Sequence, residues 1–253
     1  QAVVALREVP VVGGDDGVGV ALGHVRAGPL ADARPTGVRQ HRGTDAAHSM
    51  LFKHAQAPVA LHAFLEFGIK RVGCVERRDD AEKIGIIASE DQADATRWML
   101  SHQPFIDPNR VAIWGWSGGG SNTLNAMFRK PNVYHVGIAV VPKPQAQYYN
   151  AWYQEIFMRT PKENPEGYRT SAPINYAEGL RGDLLIITGS GESNTHIEIT
   201  EGLVDRLIAL GKRFDYFVYP NRDHGLNEGA GSSVHVRMLI ARYLIEHLPP
   251  GPR

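Results

Sequence analysis

The chain has 253 residues, 43% of them apolar and 21% charged, a globular composition long enough to bury a sizeable core. Lys+Arg and Asp+Glu balance at 27 each, so no global basic field points to nucleic acid or an anionic membrane. The one cysteine, Cys74, rules out an intrachain disulfide framework and a Cys-based zinc site, and no stretch approaches the ~18 apolar residues of a membrane span. The start, Gln1-Ala2-Val3-Val4, shows neither an initiator Met nor a signal pattern, so the compartment stays open.

Composition divides the chain. Residues 1–84 hold no Trp, Tyr or Asn, and Gly/Asp clusters such as Gly13-Gly14-Asp15-Asp16-Gly17 interrupt any strand period. The apolar runs there are residues 18–25 and 59–67; Leu61, Phe64, Leu65 and Ile69 suggest a short helix in the second. This stretch is expected to be an atypical N-terminal segment, poorly ordered or unrelated to the rest, and no sheet strand is identified in it.

From Ile84 the pattern becomes regular. Ser89-Glu90-Asp91-Gln92 has the form of a capping box, opening a helix with Ala93, Ala95, Trp98, Met99 and Leu100 as its apolar positions and ending near Ser101-His102. Asp107-Pro108-Asn109 is a turn. Val111-Ala112-Ile113-Trp114 reads as a buried strand, residues 121–128 as a helix, and residues 136–141 and 184–187 as further buried strands. A helix over 197–210 directs Leu203, Val204, Leu207 and Ile208 inward. A strand over 214–219 follows, then a last helix over 233–247 with Val236, Leu239, Ile240, Tyr243 and Leu244 inward. This alternation predicts an α/β fold with a mostly parallel, doubly wound sheet, in a domain spanning residues 85–253.

Gly115-Trp116-Ser117-Gly118-Gly119 is a G-x-S-x-G between a predicted strand and a predicted helix. In that setting a serine sits on a sharp turn with its hydroxyl above the sheet, and the N–H of Gly118 points to where an oxyanion would form. Serine needs a base, and in a fold of this type the chain order is Ser, acid, His. His224 lies in a turn after the 214–219 strand, at the end from which a base can reach; His135 precedes its strand, and His235 and His247 fall in the last helix. Glu192 is the one carboxylate in the loop after the 184–187 strand, suited to accept from Nδ1 of His224. Asp223 is the poorer acid, being adjacent to the histidine, and His196 has no partner spaced for a metal.

These three motifs, with Glu90-Asp91-Gln92 and Asp107-Pro108-Asn109-Arg110-Val111, resemble the catalytic domain of prolyl oligopeptidase-family serine peptidases, nearest the dipeptidyl peptidase IV branch. The resemblance runs from about Ile84 to Arg253. It implies an α/β-hydrolase fold, a Ser117–Glu192–His224 triad, a peptide substrate and chemistry without a cofactor. Glu192 stands where the family usually carries Asp. The resemblance places Tyr149 and Tyr153 on the walls of a proline-accepting pocket and Asn194 on the substrate backbone carbonyl. Gly118, Lys143, Ala146 and Thr195 stand where that branch carries larger or apolar residues. Family members often dimerise and many act outside the cytoplasm. The family's β-propeller has no counterpart in these residues. Its oxyanion Val-Tyr-x-Gly-Pro element is matched only by Val25-Arg26-Ala27-Gly28-Pro29, with Arg for Tyr. The leading expectation is a serine peptidase; an esterase on the same fold and an inactive hydrolase-fold protein are the alternatives.

Overall fold

The computed structural model describes Ala2–Ala5 and residues 82–249. The runs at 18–25 and 59–67, the short helix expected in the second and the 25–29 string lie outside the described residues.

Five strands form one sheet in the order β1-β2-β3-β4-β5: β1 (Ala2–Ala5), β2 (Val111–Trp116), β3 (Val136–Val140), β4 (Asp183–Gly189) and β5 (Asp215–Tyr219). β2 to β5 are parallel, with Trp116 level with Val140, Val140 with Ile187, and Gly189 with Tyr219. The carboxyl ends of all four therefore lie along one edge. β1 pairs antiparallel with β2, so one strand comes from the segment in which the sequence showed none.

Six helices accompany the strands among the described residues: α1 (Ile86–His102), α2 (Gly118–Arg129), α3 (Ala151–Met158), α4 (Pro165–Ser171), α5 (Ile197–Ala209) and α6 (Ser232–His247). Strand residues alternate between two layers, as the twofold side-chain period of a strand requires. Val111, Ile113, Leu184 and Ile186 pack with Ala93 of α1, Leu124 and Met127 of α2, and Leu203 and Leu207 of α5. Ala112, Ile138, Leu185 and Ile187 pack with Val236, Leu239, Ile240, Tyr243 and Leu244 of α6. Helices thus cover both faces, which explains why the strands read as continuous apolar runs. The fold is an α/β-hydrolase, as expected. Among the described residues no helix is long and apolar enough to cross a membrane.

Two local readings are corrected. α1 starts before the expected Ser89 cap, because Gly85 takes a left-handed φ of 88° that glycine adopts at little cost. Ser89 is instead a buried interior residue whose Oγ donates to Ile86 O at 2.8 Å. Trp98 and Ile208, expected inward, are 57% and 63% exposed. Trp98 stacks on His102 one turn away, with ring centroids 4.4 Å apart. Tyr149 precedes α3, and Asn150 caps that helix by accepting from Tyr153 N at 3.2 Å.

Candidate active site

The turn from β2 into α2 carries Ser117 at φ 57° and ψ −118°, a strained conformation for a residue with a Cβ. Its N–H donates to Val140 O at 2.9 Å, which ties the turn to the end of β3. Gly115 is required here, since a Cβ on it would overlap the Gly119 backbone. Gly120, which the motif does not include, is required too: its Cβ would lie 2.7 Å from Val140 O. A Cβ on Gly118 would meet nothing within 4 Å, so open space adjoins the serine. The Gly118 amide begins α2, where its N–H has no intrahelical acceptor.

The acid and the base come from the next loops along the same edge. Glu192 follows β4, with its side chain 0% exposed, and His224 follows β5, with its side chain 27% exposed. His224 Nδ1 lies 3.0 Å from Glu192 Oε2 and 3.2 Å from Oε1. Oε1 also accepts from the backbone N–H groups of Asn194 at 2.8 Å and Thr195 at 2.9 Å. Burial pushes the Glu192 carboxyl up, but the bonds from His224, Thr195 and Asn194 outweigh it and hold the group below the usual carboxylate range. With Glu192 ionised, Nδ1 carries the proton and Nε2 is left as a base. Ser117 and His224 make no direct hydrogen bond in this structure. They are brought together through Trp116, whose indole N–H donates to His224 O at 2.9 Å.

Sequence reasoning missed that clamp, although Trp116 is the variable residue of the G-x-S-x-G: an amphipathic ring at a strand end is the available signal. It also missed the use of Asp223. This carboxylate stays off the imidazole, as expected, but Oδ1 accepts from His224 N at 2.7 Å, Ser193 N at 2.9 Å and Ser193 Oγ at 3.0 Å. Asp223 thereby ties the base loop to the acid loop. The N–H of Ser193, followed by the His224 N–H, holds its carboxyl below the ordinary range.

Tyr149, Tyr153 and Asn194 do converge. Tyr149 OH donates to Asn194 Oδ1 at 3.0 Å, and Tyr149 meets Tyr153 edge-on at 5.8 Å between centroids. Lys143 Nζ sits 4.2 Å from the Tyr149 ring centroid. The other histidines are occupied elsewhere: His235 Nδ1 bonds Tyr219 OH at 2.7 Å, and His196 precedes α5 at a left-handed φ of 57°. Among the described residues no cluster of three or more His, Cys, Asp or Glu is placed to hold a metal ion.

A serine on a strained strand-to-helix turn, with a carboxylate-held histidine three strands along, defines the α/β-hydrolase class of site. Comparison with known proteins narrows it. The model of the prolyl oligopeptidase family matches residues 80–250, and the chain belongs to that family. It is 35% identical over 160 residues to the probable dipeptidyl-aminopeptidase B of Uncinocarpus reesii, a match covering 62% of this chain and 17% of that one. It is 35% identical over 156 residues to dipeptidyl peptidase 4 of Bos taurus, covering 60% and 20%. The crystal structure of Porphyromonas gingivalis dipeptidyl peptidase 4 superposes with a TM-score of 0.65 at 34% identity, over 68% of this chain and 24% of that one. The matched region is thus a small part of each of these relatives.

Proposed function

We propose that residues 85–253 form the catalytic domain of a serine peptidase. Ser117 attacks a peptide carbonyl while His224 Nε2 takes its proton, and Glu192 stabilises the imidazolium that forms. The tetrahedral oxyanion faces the Gly118 N–H. His224 then returns the proton to the leaving amine, giving an acyl-enzyme on Ser117 Oγ. Water, deprotonated by His224, attacks the ester; the acid product leaves and Ser117 regains its proton. The observation that carries this reading is the 3.0 Å contact of Glu192 with His224 Nδ1, in a loop pinned by Trp116 beside the serine.

The names of the relatives favour release of dipeptides from an amino terminus as the activity. The residues holding a substrate would be Asn194, for the backbone carbonyl, and the Tyr149–Tyr153 wall. Labelling of the purified chain by a fluorophosphonate, read by intact mass with Ser117→Ala as control, tests the reading. One adduct on the wild type alone supports it. A folded wild type that takes no label refutes it.

A further inference from the structure

We propose that Lys143 makes the pocket beside Ser117 select an acidic side chain on the residue whose carbonyl is attacked. This rests on the peptidase reading above and names its substrate class.

Lys143 is anchored directly behind the nucleophile. Its backbone N–H donates to Ser121 Oγ at 2.8 Å, and Ser121 N in turn donates to Ser117 O at 3.0 Å. The chain reaches it through Val141, a β-branched residue held at φ 40°, which turns the backbone sharply at the end of β3. On the far side of the pocket, Tyr149 reaches Asn194, whose N–H is bonded to Glu192. Contacts therefore run from Ser117 through Ser121, Lys143, Tyr149 and Asn194 to Glu192, around one flank of the serine.

The cluster has more donors than acceptors and holds no anion. Lys143 Nζ donates to Gln154 Oε1 at 2.8 Å and lies 4.2 Å and 5.3 Å from the ring centroids of Tyr149 and Tyr153. Among the described residues no carboxylate pairs with it, and an ammonium has three N–H groups to place. Gln154 is 2% exposed, and its Nε2 has no acceptor. The amide cannot turn to relieve this, because an ammonium accepts nothing and Oε1 must face it. Two neighbouring side chains thus hold unspent donors, and one of them, Lys143, lies over two aromatic rings. Burial has pushed the Lys143 ammonium down to about 8, the response of a cation without a counter-charge. A substrate carboxylate supplies that counter-charge. A proline ring would instead strip water from the ammonium and offer it no partner.

The test uses the full purified chain and coumarin-amide dipeptides Gly-X with X = Glu, Gln, Asp, Asn, Ala and Pro. The expected kcat/KM for Glu exceeds that for its isostere Gln by tenfold or more. Lys143→Met brings the ratio near one, and Lys143→Arg keeps it above one. The wild-type ratio needs no variant: it falls as pH rises through about 8, where the ammonium discharges, while the base His224 cancels between the two substrates. The titratable groups facing Lys143 are Tyr149 and Tyr153, and burial pushes the Tyr153 hydroxyl up. A wild-type Glu/Gln ratio below two, in an enzyme that labels with fluorophosphonate and cleaves other members of the panel, overturns the selectivity alone. So does a ratio that Lys143→Met leaves unchanged. Absence of both labelling and cleavage overturns the peptidase reading and this inference with it.

Discussion

Glu192→Gln isolates the part played by the acid, and its outcome can be worked from the bonds at that side chain. Both backbone donors, Asn194 N and Thr195 N, fall on Oε1, whereas His224 Nδ1 is nearer Oε2. A glutamine must keep its oxygen on the two N–H groups, since the reverse orientation sets three donors against each other. Its NH₂ then occupies the Oε2 place and donates to Nδ1. The proton moves to Nε2, and the imidazole becomes a donor where a base is needed. The same exchange in a Ser-His-Asp triad lowers kcat by about 10⁴, or about 5.5 kcal/mol. The fold should lose much less. Two charged hydrogen bonds weaken to neutral ones, about 1 kcal/mol each, partly offset by the lower cost of burying an amide. That shifts Tm by about 2–8 °C. The assay is turnover of a peptide amide and the rate of fluorophosphonate labelling, with a thermal melt on the same preparation. A folded Glu192→Gln that keeps more than a tenth of wild-type kcat would refute the assignment of Glu192 as the orienting acid.

Four further outcomes follow from the same geometry. Trp116→Phe removes the indole donor to His224 O, so stability should fall by about 1 kcal/mol in a denaturant melt and kcat should fall with it, since a misplaced base is costly. Gly120→Ala drives a Cβ against Val140 O and should cost about 3 kcal/mol, the top of the usual overpacking range, whereas Gly118→Ala meets open space and should leave the melt within about 0.5 kcal/mol. Because the Glu192 carboxyl is held below its ordinary 4.5, the stability it contributes is complete above that value and is lost as pH falls through the lower, folded value; acid titration of Tm should show this, and Glu192→Gln should lack it. Lys143 contributes a cost rather than a gain, with the same direction of slope: the unfolded chain binds the proton between about 8 and 10.5 and the folded chain does not, so its burial cost eases as pH rises, and the gain in Tm from Lys143→Met at pH 7 should shrink toward pH 10.

The strands β2 to β4 were legible because they are largely buried on both faces and flanked by turn residues, which leaves apolar runs such as Leu184-Leu185-Ile186-Ile187 with no competing helical period. The placement of Ser117, Glu192 and His224 at carboxyl ends along one edge was legible for a related reason: in a parallel sheet, chain order alone tells which loops share an edge. Cap geometry was less so. A serine followed three residues later by glutamine looks like a helix start, but a glycine earlier in the chain can take a left-handed turn and begin the helix first. Exposed apolar residues such as Trp98 were invisible to a pattern that treats every large side chain as inward. The Trp116, Asp223 and Gln154 contacts join residues 108, 30 and 11 positions apart, respectively, and depend on loop paths that no local pattern encodes.

The four parallel strands divide the work of the site. On the proposed reading the loop after β2 brings the nucleophile, that after β4 the acid and that after β5 the base, and Trp116 and Asp223 bind these three loops into one unit. Moving any of them disturbs a proton path whose distances must hold to a fraction of an ångström. The loop after β3 is different. Lys143 touches the unit through Ser121 behind the serine and through Tyr149 beside Asn194, and takes no part in the proton path itself. A change of side chain there alters what sits next to the attacked carbonyl and leaves the Glu192–His224 geometry alone. A cation is tolerated at that place only if something answers its charge during turnover, because the desolvation it suffers in the free enzyme is a standing cost. The proposed selectivity for an acidic side chain turns this cost into binding beside the carbonyl that Ser117 is proposed to attack.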